Sequence, residues 1–380
     1  MKKFKSLMLA ALASAALAAP SIAADLTMSG EVIVGMKYTT STPDGGNSSN
    51  VQDTYIGDVN AQLTGVVSEN AKYGFQFQKD DEADADAGVN FEMVGTATSG
   101  DNSITAYGKI TDITNHNNAG AMGYGDVYIK GSNKTMSVTV GKFGQTENYS
   151  NGMGYYRAPT NFGGNTVPYV EHITISGFQG LGVGVDAGDI TITAEVPWMS
   201  VAATDGYALA AEDGSGPVAT NVTGFRPNLK AKLGGANISA TVYALSFSPV
   251  ESGTNTNGKT DTGLQLMGNV GAGAATVGLG FTQKTTKEGE ADEVSPSILN
   301  GYVKVGLGGG SNVGASFEVI GDGASEDATT VTRISASYDM PFFVESVTLK
   351  LGAGTSTAST DKAVGSGSAS GLEAEWSYAF

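Results

Sequence analysis

The feature that most limits what this chain can become is an apolar–polar alternation with a period of two, repeated in segments of about ten residues. In the stretch from Leu26 to Tyr38, residues Leu26, Met28, Val32, Val34, Met36 and Tyr38 share one parity. Thr27, Ser29, Glu31 and Lys37 occupy the other, and Ile33 is the one apolar misfit. Only an extended strand sends successive side chains to opposite faces. The pattern returns in Val59–Thr64 and Tyr73–Gln78, joined across Ser68-Glu69-Asn70. Further turn-forming clusters stand at Ser99–Asn102, Gly131–Lys134, Ala187–Asp189, Gly234–Asn237, Gly271–Gly273 and Gly308–Ser311. Between the paired segments lie longer polar stretches, at about 39–54, 80–88, 113–122, 144–171, 197–222, 248–260, 286–296, 322–328 and 356–368. Short turns therefore alternate with long loops, and no linker or composition break divides the chain.

The start of the sequence bears on the compartment. Lys2, Lys3 and Lys5 form a positive region, Leu7 to Ala19 an apolar one, and Ser21-Ile22-Ala23 a small-x-small site. That order predicts an export signal over residues 1–24, cleaved after Ala23 or Ala24, with residues 25–380 as the mature chain. Beyond it no run approaches the ~18 apolar residues of a membrane helix, so a chain that spans a bilayer has to span it as a closed barrel. The alternation of short turns and long loops is what outer-membrane barrels show. The expected fold is an all-β, transmembrane antiparallel β-barrel of 16–18 strands, 18 by count, with short periplasmic turns and long extracellular loops. A soluble sandwich shows the same alternation, with its apolar face turned inward instead of outward to lipid, and the pattern alone does not distinguish the two.

The chain closes on Leu372-Glu373-Ala374-Glu375-Trp376-Ser377-Tyr378-Ala379-Phe380, with Leu372, Ala374, Trp376, Tyr378 and Phe380 on one face. This alternating segment with aromatics resembles the assembly signal of outer-membrane barrels, and Trp376, Tyr378 and Phe380 are its candidate residues. Over residues 25–380 the sequence resembles the general bacterial porins of Gram-negative outer membranes, from Leu26-Thr27-Met28-Ser29-Gly30 onward. Tyr128-Ile129-Lys130-Gly131 and Val138-Thr139-Val140-Gly141-Lys142-Phe143 are similar to the two strands that lead into that family's pore-constricting loop. Gly164-Asn165-Thr166-Val167-Pro168-Tyr169 is similar to the loop's return in a subset of these porins. Two departures stand out: the family usually carries Arg where Lys142 stands, and the hairpin at 89–112 is additional. The resemblance implies a homotrimer with one pore per chain, an inward-folded constriction loop at about 144–171, and insertion by the barrel-assembly machinery beside lipid and lipopolysaccharide. It also implies passive passage of ions and small hydrophilic solutes across the bacterial outer membrane.

A passive pore needs a hydrated path and a field across its narrowest point, and neither nucleophile nor cofactor. The candidate wall charges are Arg226, Lys230 and Lys232 on one strand, with Lys109, Lys304, Arg333 and Lys350 on the polar parity of others. The candidate loop residues are Glu147, Arg157 and Glu171, with Tyr149, Tyr155 and Tyr156. Glu147 or Glu171 facing the wall cations would set a transverse field that orders water. The formal charge of −17 argues against nucleic acid, which needs clustered Lys and Arg. The run Asp80-Asp81-Glu82-Ala83-Asp84-Ala85-Asp86 offers oxygens at alternate positions, yet lacks the spacing of a helix-flanked calcium loop, so no metal is assigned. With no cysteine and only His116 and His172, the sequence carries no evident acid–base or metal cluster, and no enzyme is expected. A TonB-type transporter needs more chain than this for a plug and a 22-stranded barrel. The remaining alternatives are a substrate-selective channel for a sugar or other small solute, and a structural anchor or adhesin barrel.

Overall fold

The computed structural model describes residues 26–43, 46–68, 71–79, 86–111, 123–146, 161–162, 165–166, 175, 178–201, 209–210, 217–250, 258–289, 293–323, 329–360 and 367–379. The expected export signal, the acidic run at 80–85 and Phe380 lie outside them. Eighteen strands among the described residues form one antiparallel sheet, beside two short pairings, Asn161–Phe162 with Asn165–Thr166 and Leu209–Ala210 with Pro217–Val218. Its strands are β1 (Leu26–Pro43), β2 (Ser49–Ser68), β3 (Ala71–Lys79), β4 (Asp86–Ser99), β5 (Asn102–Thr111), β6 (Gly123–Ser132), β7 (Met136–Lys142), β8 (Gln179–Asp186) and β9 (Ile190–Val201). They continue as β10 (Thr220–Leu233), β11 (Ala236–Pro249), β12 (Lys259–Ala272), β13 (Ala275–Glu288), β14 (Ser297–Gly308), β15 (Ser311–Gly321), β16 (Thr329–Phe342), β17 (Val344–Thr360) and β18 (Gly367–Ala379). Each strand pairs with its neighbour in sequence, and β18 returns to β1 from Glu31↔Ala379 to Pro43↔Gly367, so the sheet closes on itself. Closure gives every strand a partner on both sides and leaves no edge.

The two parities of the wall have opposite chemistry. Phe225 (49% exposed), Leu229, Val242, Leu266, Leu279 (61%), Phe317, Ile334 and Leu372 face outward, while Arg226, Asn228, Ser239, Thr241, Asp261, Gln265, Thr282, Glu318 and Arg333 are buried on the inner face. This is the reverse of a soluble sandwich: apolar outside, polar and charged inside. The outer apolar band has a sharp upper limit. On β10 it runs from Leu233 to Phe225 and gives way to Thr223 and Asn221; on β11 it runs from Ile238 to Val242 and gives way to Ser246 and Ser248. On β16, β17 and β18 the change falls between Ile334 and Thr332, Ala353 and Thr355, and Leu372 and Ser370. These positions are joined through the sheet by Phe225↔Ala244, Val242↔Leu264, Phe317↔Ile334, Ala353↔Leu372 and Leu372↔Tyr38. A band of about nine residues at ~3.3 Å each, tilted ~40°, stands roughly 23 Å tall, the height of a bilayer's hydrocarbon region as barrels cross it. Trp198, 85% exposed, marks the upper limit on β9. At the lower end Trp376 packs edge-on against Phe342, with ring centroids 6.4 Å apart. Tryptophans at the two borders suit headgroup level.

Several strands run past this band. The stretch 39–54, expected as a loop, is paired as far as Ser41↔Ser49, with Thr40 donating to Asn50 Oδ1 at 2.9 Å. Above the bilayer neither face meets lipid, so Thr and Ser occupy both parities and the alternation that betrays a strand disappears. A second departure is the turn between β16 and β17, which the sequence conceals because Pro341-Phe342-Phe343-Val344 lacks the usual Gly or Asn. Phe343 supplies the left-handed residue itself, with φ 62°. Ile33, the misfit of the first strand, sits where the β1–β2 register slips between Val32 and Val34.

The band gives a direct prediction. Leu229→Arg, at mid-height on the outer face, should cost about 2–4 kcal/mol in urea unfolding from lipid vesicles, while Thr223→Arg, above the border on the same face, should cost about 0–1 kcal/mol.

Candidate functional site at the inner wall

The inner face is where anything crossing the barrel would pass, and its charges come in cross-strand pairs. Glu195 of β9 stands directly opposite Arg226 of β10, and their carboxylate and guanidinium are 2.5 Å apart. Glu318 of β15 is opposite Arg333 of β16 and ion-paired with it. Glu375 of β18 is opposite Lys350 of β17, at 2.8 Å, and Glu92 of β4 opposite Lys109 of β5, at 3.3 Å. Asp261 of β12 faces Lys284 of β13 at 3.1 Å. Opposite charges directly across a ladder stabilise the pairing, and here they also neutralise the wall locally. Four of the predicted wall cations, Arg226, Arg333, Lys350 and Lys109, thus have wall carboxylates beside them that sequence reasoning did not single out: Glu195, Glu318, Glu375 and Glu92. The signal that would have found them is register, which no single strand displays.

The remaining predicted cations sit differently. On β10 the series Arg226, Lys230, Lys232 runs from fully buried through half-buried to exposed, so it is a gradient toward the turn and not a uniform ladder. Lys304 is exposed near the β14–β15 turn. Glu147, Tyr149, Tyr155, Tyr156, Arg157 and Glu171 lie outside the described residues. At the closing strand Tyr378 is 44% exposed on the outer face.

The segment between β7 and β8 is anchored to this wall at its neck. Gly141 holds φ at 129°, where a Cβ would meet the Val127 carbonyl oxygen at 2.2 Å; the backbone bends there, and Phe143 turns inward. The β8 inner face offers Gly182 beneath the Phe143 ring, where a Cβ would come to 2.8 Å of it. Thr146 is then read by the buried ion pair: its N–H donates to Glu195 Oε1 at 2.6 Å, and its carbonyl accepts from Arg226 Nη2 at 2.9 Å. Thr193 adds a hydroxyl contact to Thr146 at 3.0 Å. The Gln145 amide closes the neck by accepting from the Ile175 N–H at 3.1 Å and donating to the Ile175 carbonyl. Farther along, Asn161–Phe162 comes within 8 Å, Cα to Cα, of β1 and β18 on another part of the ring. The segment therefore leaves the wall at a fixed point and reaches a distant part of it.

Next to this neck, on β4, β5 and β6, the inner face is less buried. Tyr107 and Tyr128, opposite each other on β5 and β6, stack with centroids 5.1 Å apart, and Tyr128 meets Phe143 edge-on at 6.4 Å. Lys130 is exposed there, and Glu92 and Lys109 are half-buried. Among the described residues no group of three His, Cys, Asp or Glu side chains is placed to hold a metal ion.

Solved structures of the same architecture are outer-membrane proteins and channels. OmpT of Vibrio cholerae with its loop L8 deleted, an outer membrane protein, aligns with a TM-score of 0.51 at 11% identity, over 94% of this chain and 99% of that one. The anion-selective porin of Comamonas acidovorans aligns with a TM-score of 0.51 at 12% identity, over 94% and 99%. The outer membrane channel DcaP of Acinetobacter baumannii aligns with a TM-score of 0.51 at 10% identity, over 94% and 97%. No family model and no curated protein matches the sequence. The likeness is one of fold, and the fold is the porin barrel.

The buried anchor makes a testable contrast. Glu195→Ala leaves the Arg226 charge buried without its carboxylate and the Thr146 N–H without its acceptor, and should cost about 3–5 kcal/mol in unfolding experiments in lipid. Glu92→Ala, in a half-exposed pair, should cost no more than about 1 kcal/mol.

Proposed function

We propose that the chain is a passive diffusion channel of the bacterial outer membrane, carrying ions and small hydrophilic solutes through a water-filled lumen. The observation that carries this reading is the polarity of the closed wall, apolar toward lipid and polar and charged toward the interior. Such a wall hydrates its inside and is stable only with lipid outside. Diffusion down a gradient requires no nucleophile and no cofactor, and none is assigned. The reading includes export by the segment 1–24, insertion by the barrel-assembly machinery, and assembly as a homotrimer with one pore per chain.

Pairing of the wall charges bears on ion selectivity. A carboxylate and an ammonium a few ångströms apart present a dipole whose field falls quickly in water, so Arg226, Arg333, Lys350 and Lys109 contribute little net attraction for anions. The net acidity of the chain then sets the sign: with Lys2, Lys3 and Lys5 removed, −17 becomes −17 − 3 = −20. Cations are concentrated at such a mouth. A second reading, a channel selective for a ring-shaped hydrophilic solute, is favoured by one observation. The stacked Tyr107 and Tyr128 lie on the less crowded inner face beside the Glu92–Lys109 pair, an apolar ring surface next to hydrogen-bonding groups.

In planar bilayers under a KCl gradient, the purified protein should give large open steps that close in threes. Its reversal potential should show cation preference at low salt that fades as ionic strength rises. Saturable block of the current by a sugar would favour the second reading, and folded protein without conductance would leave a structural barrel.

A further inference from the structure

The wall of β10 and β11 changes character on its inner face as sharply as on its outer one. On β11 the inward residues are Ser239 and Thr241 at bilayer height, then Tyr243, Leu245 and Phe247 above it; on β10, Asn228 and Arg226 give way to Val222. These upper residues are at most 4% exposed, and Val222 is fully buried. Five apolar or aromatic side chains pointing into a hydrated lumen, Met199 of β9 among them, would be costly unless something dry covers them.

Two segments supply the cover. Ile175 and Phe178, from the end of the β7–β8 connection, belong to one cluster with Met199, Val222, Tyr243, Leu245 and Phe247. Leu209, from the β9–β10 connection, belongs to the same cluster at 1% exposure, with Val218 packed against it. Leu209 and Val218 face each other across a short antiparallel bridge, Leu209↔Val218 and Ala210↔Pro217. Thr220 locks that bridge to the head of β10: the Leu209 N–H donates to its Oγ1 at 2.9 Å, and its hydroxyl donates to the Val218 carbonyl at 2.9 Å. The polar outer face at this height, Ser246 and Ser248 of β11, shows that water and not lipid lies outside the wall there. The upper wall is therefore built like a soluble sheet, with its dry side inside.

From this we infer that the described part of the β9–β10 connection, Leu209–Ala210 and Pro217–Val218, is a constricting element of the channel. Leu209 and Val218 fill the β9–β11 side of the upper lumen and displace the solute path toward the β1–β7 side, where Lys37 and Lys130 are exposed and Tyr107 and Tyr128 half-buried. The inference rests on the channel reading for its functional meaning, but its packing can be tested separately. Barrel width grows with strand number, so an 18-stranded wall leaves room inside for such a filler.

The chain has no cysteine, so single cysteines can be introduced without background. In refolded protein, labelling with a charged methanethiosulfonate reagent should be rapid at Lys130→Cys and lower its current. At Val222→Cys it should be at least about 10-fold slower. Adding Leu209→Asp should raise the Val222→Cys rate about 10-fold or more, and Leu209→Asp alone should enlarge both the unitary conductance and the largest polyethylene glycol that enters. Heat-modifiable gel mobility identifies folded barrel, and Leu209→Thr serves as the milder variant where the aspartate prevents folding. The proposal is overturned by equal Val222→Cys rates with and without the Leu209 substitution, or by unchanged conductance and polymer cutoff in the folded variant. Labelling is read on a gel without current, so a silent bilayer overturns the channel reading while the packing result stands on its own.

Discussion

A backbone N–H or C=O that faces hydrocarbon finds no water, and each one left without a partner costs several kcal/mol. That constraint governs this structure. It obliges the first and last strands to meet, which they do over the whole of β18, from Glu31↔Ala379 to Pro43↔Gly367. Once the ring is closed, the backbone is satisfied by hydrogen bonds alone and the side chains are free to match their surroundings, lipid on one parity and the interior on the other. The Ser377 hydroxyl, donating to Glu31 at 2.9 Å, adds a side-chain link across the seam on the inner face.

Height along the strand then decides chemistry a second time. Within the apolar band the outward residues are Leu, Val, Ile and Phe and the inward ones Asn, Thr, Ser and paired ions. Above it the outward residues become Ser and Thr, and the inward ones include Leu245 and Phe247 on one side of the ring and Ile298, Ile320 and Val331 on another. One strand thus satisfies two solvent arrangements in succession. The anchor at Thr146 lies among these inward groups, where a buried ion pair can address a backbone amide and carbonyl together. Water would compete for both at an exposed site, which is why the half-exposed Glu92–Lys109 pair is suited to lining a path and not to fixing a loop.

Much of this was legible in the sequence and some was not, for one physical reason. Alternation from Leu26 to Tyr38 and at the closing Leu372–Tyr378 revealed the strands, because lipid on one face enforces a strict period. Where lipid ends the period ends, so the strand residues 39–43 read as loop. The Gly-rich turns were visible, whereas the turn at Phe343 carries its positive φ on a residue that rarely adopts it. The positions of Arg226, Arg333, Lys350 and Lys109 on the polar parity were readable within single strands. Their partners Glu195, Glu318, Glu375 and Glu92 were not, since each pairing is set by the register of two strands. The inner patch at Tyr243–Phe247 shares the parity of Ser239 and Thr241, and only its burial shows that it is a core.

Inside and outside exchange character along β11, and spin labels placed singly from Ile238 to Ser248 in lipid vesicles read that exchange residue by residue. Collisions with oxygen should dominate at 238, 240 and 242, and collisions with a water-soluble nickel complex at 244, 246 and 248. Labels at 243, 245 and 247 should meet little of either. Oxygen accessibility at the odd positions, or nickel accessibility unchanged across the even series, would contradict that exchange.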